Sequence, residues 1–543
     1  MGGEINSVTK DWSASKLKCA YVFPDKYEVG MSNVALHLFY EMINGYTEHV
    51  LERSFAPDND MIDLLKRENI PLFSLENKKP LNEFDAIAFS FSTEVSFTNA
   101  LLMLDLAKIP LFSKERIDLE SPLIFAGGGG VVNPLPMQRF IDFFVIGDGE
   151  DLFEWVLDVI YDLKYNKSKN KLEILEELSN NNNIYVPLFY SGQKIKKHIF
   201  KNFDKKHYPV KPIVPFIKIV HNRFSLELMK GCPRQCLFCQ ASYLNSPVRL
   251  KDKDKLYEQG VKVLENTGYE ELSLASLSSS DYPYLYQLAN DLHKYADKNK
   301  VKLSLPSLRI DSYSEGASLM VNKVRESGVT LAPEAGTQRL RDVIRKKISE
   351  EDIFNAIKCA SKWSKKGIKL YFMIGLPTET MKDIEGIVDL VYKLQAAIKP
   401  KRNKIIVNVS NFVPKPHTPF QWCGQDSKDD INKKLDYLKK SLRNKQIELR
   451  WTDADLSILE GVLSRGDEEV GELIYRAYKN GASFDAWYEV FDFSKWEQAA
   501  ESLNLDLNKY LVEHSVEDDL PWFFIEAAIS HDRLRKDCIT AFS

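Results

Sequence analysis

Two stretches of this chain, residues 17–160 and 224–413, alternate short apolar runs with amphipathic helical patterns, and that alternation narrows the fold more than any other feature. The first runs KLKCAYVF, VALHLFYEMI, HVLERSF, FDAIAFSFS, ALLMLDLA, PLIFAGGGG and FFVIGDGE. The second carries the apolar runs FSLELMK, ELSLASL, VKLSLPSL, GVTLAPE, IKLYFMIGL and KIIVNVSNFV with helical segments between them. Strands separated by helices pair in parallel, and a parallel sheet must be covered on both faces. The chain is therefore α/β, and 543 residues exceed what one core holds.

Residues 1–185 read as a Rossmann-like or flavodoxin-like domain, whose ligand would lie beyond the strand carboxyl ends, where Gly127 to Gly130 and Gly147 to Gly149 sit. The polar KYNKSKNK and the asparagine run at 180–183 announce a basic connector over 186–222. Six βα units over 223–446 predict a partial (β/α)6 barrel with functional groups at the strand carboxyl ends. Beyond it, ADLSILEGVLS, VGELIYRAYKNG, FDAWYEVF and KWEQAAESL read as short amphipathic helices, predicting a small helical C-terminal domain over 447–543.

Hydrophobic content of 44% supports sizeable cores. No apolar run reaches the roughly 20 residues of a membrane helix, and MGGEINSVTKDWSASK lacks a signal peptide's apolar stretch. No membrane partner and a cytoplasmic location are expected. A net charge of -4 gives no overall pull toward nucleic acid. One local exception holds Lys194, Lys196, Lys197, Lys201, Lys205, Lys206, Lys211, Lys218 and Arg223, with Tyr208 and Phe216 among them. It reads as a solvated connector or as an RNA- or phosphate-binding patch.

Of seven cysteines, Cys19, Cys359, Cys423 and Cys538 are scattered singly and read as small buried hydrophobes. The other three, Cys232, Cys236 and Cys239, crowd into GCPRQCLFCQ. The spacing C-x-x-x-C-x-x-C suits three irons of a 4Fe-4S cluster and leaves one iron open for an exogenous ligand. Structural zinc is the alternative, but it wants a fourth Cys or His at short spacing. The triad follows strand FSLELMK, where a barrel's first loop lies over its mouth.

At this point Cys232, Cys236, Phe238 and Cys239 resemble the radical S-adenosylmethionine (SAM) signature, three cysteines with an aromatic before the last. The resemblance implies that SAM chelates the open iron and that an electron from the reduced cluster cleaves its sulfonium, giving a 5'-deoxyadenosyl radical that abstracts hydrogen from substrate. It continues in order along the chain. ELSLASLSSSDY, from Ser276 to Asp281, stands where the family places polar groups against the SAM amino group. LPSLRID brings Arg309 and Asp311 toward ribose or carboxylate, LAPEAGTQRLR offers Glu334 and Arg339, and FMIGLPTET, with Gly375 and Pro377, resembles the glycine motif near adenine. SNFVPKPHTPFQW resembles the sixth strand; His417 within it reads as a satisfied structural histidine rather than a catalytic one.

The order of the two domains, with FPDKYEVGMSN, FAGGGGVVNPLP, FFVIGDGED and LEGVLSRGDEEVG, resembles a poorly characterised group of cobalamin-binding radical SAM proteins over nearly the whole chain. That implies a bound cobalamin, with Gly127, Gly128 and Gly129 letting the flat ring approach the backbone. The D-x-H-x-x-G pattern that supplies a histidine to cobalt elsewhere is absent, and His37 and His49 are this domain's only histidines, so cobalt without a histidine ligand is expected. The alternative is a cobalamin-type fold without a corrin, its glycines merely closing tight turns. Relatives often end in a Cys-rich tail; here only Cys538 appears.

The expected activity is radical SAM chemistry with cobalamin-dependent methyl transfer. The substrate, whether RNA, protein or small molecule, is not named by any motif. Cobalamin-free oxidation, rearrangement or cyclisation is the alternative, and an RNA-binding iron-sulfur protein is a further one. Methylthiotransferases carry three more cysteines in the first domain, which here has only Cys19. A flavodoxin or ferredoxin must supply electrons, and an exposed cluster would be oxygen-sensitive.

Overall fold

Strand Lys18–Phe23 sends alternate side chains to opposite faces, as a doubly covered strand must. Ala20 and Val22 enter one core with Leu101 and Met103 of helix Phe97–Leu106, while Cys19, Tyr21 and Phe23 enter another with Leu36 and Ile43 of helix Val34–Tyr46 and Val156 of helix Leu152–Tyr161. The structure, a computed structural model, describes residues 3–117, 120–204, 208–305, 309–312, 329–363, 367–398 and 404–543.

The first sheet has six strands in the spatial order Val50–Phe55, Lys18–Phe23, Ala86–Ser90, Leu123–Gly127, Phe143–Val145, Ile184–Tyr185. All neighbours are parallel except the last pair. Strand order 2-1-3-4-5 is flavodoxin-like, and it reverses between Lys18–Phe23 and Ala86–Ser90, which opens a crevice at their carboxyl ends.

The barrel is built from two parallel sheets. Phe224–Glu227, Glu271–Ala275 and Lys302–Ser304 form one; Val329–Glu334, Ile368–Ile374, Ile405–Asn411 and Ile447–Trp451 form the other. The expected strands VKLSLPSL and GVTLAPE each run partly outside the described residues, at 306–308 and 328. Ile405, Val407 and Val409 share an apolar cluster with Ile384 and Ile387 of helix Met381–Ala397. The opposite face of the sheet, with Tyr371, Met373, Asn408 and Ser410, is only partly covered.

Two features add to the expected layout. Ile447–Trp451 is a seventh strand, paired from Ile405↔Ile447 onward, so the sheet extends past the boundary placed at 447; its IELRW pattern is that of a charged edge strand. The C-terminal region is helical, as expected, and shares its core with both sheet domains. Leu459, Val462, Leu473 and Trp496 join the same apolar cluster as Leu101 and Met137 of the first sheet domain and Ile405 of the barrel. FDAWYEVF forms turns, because Phe484 takes a left-handed φ of 54° that no helix accepts. Its N–H donates to Asn99 Oδ1 at 2.6 Å, and the Asp485 carboxylate accepts from Thr98 at 2.7 Å and Trp496 at 3.1 Å.

The connector is tied down rather than free. Ile195–Lys196 pairs with Ile525–Glu526, and Val214–Pro215 with Glu4–Ile5. Its basic residues are divided accordingly: Lys194 donates to the Phe523 carbonyl, Lys197 is half-buried, and Arg223 meets Glu271 at 3.2 Å. Lys205 and Lys206 lie outside the described residues. Among the described residues, no helix is long and apolar enough to cross a membrane.

Candidate functional site

The three-cysteine loop leaves its strand through a tight corner. Gly231 has φ of 85°, and a Cβ there would stand 2.6 Å from the Asn245 carbonyl oxygen, so only glycine fits. The loop is closed by the Cys239 N–H donating to the Cys236 carbonyl at 3.0 Å and by the Leu237 N–H donating to the Ile344 carbonyl at 3.1 Å. Leu237 and Phe238 pack with Ala335, Leu376 and Phe412, each of which follows a barrel strand. The aromatic of the signature thus anchors the loop over the strand carboxyl ends.

Cys236 is buried, Cys232 and Cys239 are half-buried, and none is in a disulfide. Burial pushes the Cys236 thiol up to about 11, with Lys346 pulling the other way. Burial also raises Cys239, against hydrogen bonds from Ser242. Among the described residues no three His, Cys, Asp or Glu groups converge on one metal-sized point. A cubane takes one thiolate at each of three separate irons and needs no such point, so the donor set fits a 4Fe-4S cluster.

Several of the other expected residues gather around this loop. Arg234, inside it, meets Asp281 at 2.5 Å and Asp311 at 3.6 Å. Arg309 donates its N–H to Ser280 at 3.0 Å and its guanidinium to both carboxylate oxygens of Asp311, at 2.9 and 3.1 Å. Ser276 and Ser279 hydroxyls lie 3.1 Å apart. Glu334 sits at φ of 68°, where the register of its strand shifts, and pairs with Lys346 at 2.9 Å. Arg309 and Glu334 both act electrostatically on Cys236.

Arg339 and Gly375 are held differently. The half-exposed Arg339 donates to the Thr378 hydroxyl and carbonyl, each at 3.0 Å, and to Asp383 at 2.5 Å, clasping the start of the helix after the fifth strand. Gly375, at φ of 80°, gives its N–H to Glu379 at 2.7 Å, and Pro377 lies in the turn between them. Glu379, raised by burial and drawn back by Lys434, is buried under the motif. Sequence reasoning missed Arg234, Lys346, Glu379 and Lys434; Arg234 inside CPRQC was the one with a visible signal.

The second feature is a cavity of about 340 Å³ in the crevice of the first sheet. Tyr21, Phe39, Ala88, Phe125, Val145 and Phe153 wall it, Gly127, Gly128, Gly129, Gly147 and Gly149 edge it, and Lys230, Leu244 and Asn245 close it from the barrel side. Gly128 has φ of 107°, with a Cβ position 2.3 Å from the Phe91 carbonyl oxygen, and Gly147 is equally tight against His198. Turn closure accounts for both. Cβ positions at Gly127 and Gly129 meet only ordinary contacts at 3.6 and 3.7 Å.

Charged groups bridge this cavity to the cysteine loop. Glu150 pairs with Lys230, two residues before Cys232, and Asp148 pairs with Arg249 and lies 3.5 Å from Lys230. Burial alone would raise Asp148; Lys230, Lys197 and Arg249 outweigh it and bring the carboxyl to about 2. His37 bonds the Met31 carbonyl and His49 bonds Asp158, and neither lines the cavity. His417 bonds the carbonyl of Val132, a cavity residue, at 3.0 Å. The Tyr21 hydroxyl is buried at the cavity wall without a well-formed hydrogen bond. Aromatic walls fit a flat base such as that of a corrinoid's nucleotide tail.

A flavodoxin-like domain set on a parallel barrel, with three thiols over the barrel mouth, defines a class. The chain belongs to the radical SAM superfamily and is a radical SAM enzyme. Residues 35–187 match the family described as radical SAM proteins, N-terminal, and residues 226–391 match the radical SAM superfamily itself. An uncharacterised protein of Methanocaldococcus jannaschii is 30% identical over 461 residues, covering 84% of this chain and 90% of that one. A tRNA-2-methylthio-N(6)-dimethylallyladenosine synthase of Carboxydothermus hydrogenoformans is 24% identical over 180 residues, 31% of this chain and 40% of that protein. Among solved structures, the cobalamin-dependent radical SAM enzyme OxsB with aqua-cobalamin bound aligns over 97% of this chain and 84% of its own, at TM-score 0.51 and 14% identity. The radical SAM methyltransferase TsrM of Kitasatospora setae, with cobalamin and a 4Fe-4S cluster, aligns over 75% of this chain and 77% of its own, at TM-score 0.50 and 11% identity. These two share the fold with this chain.

Proposed function

We propose that this enzyme joins radical SAM chemistry to cobalamin-dependent methyl transfer. The observation that carries the reading is the aromatic cavity at the crossover of the first sheet, which Lys230 closes from the side of the cysteine loop. Cys232, Cys236 and Cys239 are the residues that would hold the cluster, and Tyr21, Gly127 and Gly129 those that would meet the corrinoid tail. When bound, the cluster supplies the electron that cleaves SAM, and the corrinoid supplies a transferable methyl group.

The chain's own groups do the positioning. Ser276, Arg309 and Glu334 stand beside the loop, where hydroxyl, guanidinium and carboxylate complement the amino, carboxylate and ribose groups of SAM. Arg339 and Gly375 shape the turn assigned to adenine. The ion pairs among Arg234, Asp281 and Asp311 hold the loop's conformation. No histidine lines the cavity among the described residues, so the chain offers cobalt no imidazole there.

Anaerobic reconstitution with iron, sulfide and hydroxocobalamin, followed by desalting and quantification, tests this reading. About one corrinoid beside one four-iron cluster is expected, followed by methyl transfer from labelled SAM. A four-iron cluster with no retained corrinoid would sink the methyl-transfer reading and leave cobalamin-free radical chemistry.

A further inference from the structure

The segment LEGVLSRGDEEVG has no part in either site. It ends helix Ala454–Arg465 and begins helix Glu468–Lys479, and its arginine, Arg465, is only 3% exposed. Nη2 donates to the Val512 carbonyl at 3.0 Å. Nε and Nη1 are buried without any hydrogen-bond partner among the described residues. An arginine cannot shed its proton to escape such a place, and a buried cation without a counter-charge is among the costliest features a fold can carry.

Among the described residues, no carboxylate pairs with it. Burial pushes the Arg465 pKa down to about 10, and the acidic group acting against that is the Cys423 thiol. Cys423 is itself kept protonated by its hydrogen bond with Cys538 and by burial, so it brings no negative charge. Two of the four cysteines read as solitary in sequence, Cys423 and Cys538, are therefore a thiol pair, with Cys423 acting on this arginine.

Beside Arg465 lies a cavity of about 200 Å³, lined also by Asp467, Lys509, Tyr510, His514 and Trp522. The Asp467 carboxylate is occupied: its Oδ1 accepts the Tyr510 hydroxyl at 2.8 Å and the Glu469 N–H at 3.0 Å, capping the second helix. Lys509 stands at the rim, paired with the exposed Glu469. Burial and Arg465 lower His514, which leaves a neutral ring with one N–H to give. Residues able to donate line it from three separate elements: a helix end, the Leu507–Tyr510 turn and the loop after it. A tetrahedral anion can meet donors from several directions; a planar carboxylate satisfies only those near its plane.

We infer that this cavity binds a phosphate group, either the free ion or the terminal phosphate of a small metabolite, with Arg465 as its principal donor and Lys509 at its mouth. The ligand supplies the counter-charge that the fold leaves out, and it pins the C-terminal helices to the loop that carries Cys423.

The test uses the full chain, purified and dialysed free of phosphate, by calorimetric titration and thermal unfolding against inorganic phosphate, glycerol 3-phosphate and acetate, with chloride at matched ionic strength. Saturable phosphate binding with a rising Tm is expected. Lys509→Gln should weaken it several-fold. Arg465→Met should abolish it, and in phosphate-free buffer should melt above the wild type because the uncompensated charge is gone. Binding of the monoester as well as the free ion identifies a metabolite as the source; binding of the free ion alone identifies inorganic phosphate. An equal Tm rise in Arg465→Met, acetate binding as tight as phosphate, or no saturable binding by the wild type overturns the assignment. Should Arg465→Met fail to fold, unchanged phosphate affinity in Lys509→Gln overturns it instead.

Discussion

The two sheet domains obey one topological rule and furnish their carboxyl ends in opposite ways. In the first, the crevice is walled by aromatic and small side chains, and its charges, Asp148, Glu150, Lys197 and Lys230, stand at one side. In the barrel, the same end carries Arg234, Asp281, Arg309, Asp311, Glu334 and Lys346 in a web of ion pairs. An apolar cavity gains from expelling water and suits a flat ligand that is mostly hydrocarbon. A charged mouth holds a zwitterion by geometry, since each partly buried charge must find a partner. The fold chooses where a ligand goes; the side chains at that end choose its chemistry.

If the two sites are separate in chemistry, Cys236→Ala should empty only one. Iron should fall to background and 5'-deoxyadenosine formation should vanish, while corrinoid retention stays at the wild-type level. SAM cleavage surviving in this variant would overturn the ligand assignment, and loss of both cofactors would mean that the domains load as one unit.

Lys230→Met probes the contact that joins them. It strands Glu150, whose side chain is 2% exposed, and removing one partner of a buried pair costs about 3–5 kcal/mol. Urea unfolding should show that loss, and Lys230→Met with Glu150→Leu should recover most of it. A single variant as stable as wild type would show that the clamp does not hold the domains together.

Acid should weaken both halves alike. His37, in the first domain, and His417, after the sixth barrel strand, are buried and lowered to about 4, chiefly by burial. The unfolded chain protonates them near 6.5, so as pH falls below that value protons bind the unfolded state first and stability drops until about pH 4. Between pH 7 and pH 5 each should cost about 2 kcal/mol. Urea midpoints of His37→Gln and His417→Gln at the two pH values should each show a smaller acid loss than wild type; no change in either would remove the histidines as the cause.

The contrast also explains what was legible. The barrel site announced itself because charged and thiol residues at fixed spacings, C-P-R-Q-C-L-F-C and L-R-I-D among them, are rare except where chemistry needs them. The place of the cavity was legible from the glycines at the strand carboxyl ends, but its aromatic wall was not, since Tyr21, Ala88 and Phe125 look like any residues of a covered strand. The glycine runs answer to the backbone as well as to the cavity: Gly128 lines it and is also required by the Phe91 carbonyl beside it. The strand Ile447–Trp451 was hidden because an edge strand with charged residues lacks the apolar run that marks its neighbours.

Local pattern was enough for the α/β class, the two parallel sheets, the cysteine loop and the order of the barrel motifs, because hydrophobic period and ligand spacing act over short range. Only the tertiary structure decided that the C-terminal helices share the cores of both domains, that Lys230 meets Glu150, and that Arg465 lies buried near Cys423, which bonds Cys538. Those contacts join residues far apart in the chain, and whether a charge is paired or stranded depends on what packing brings beside it.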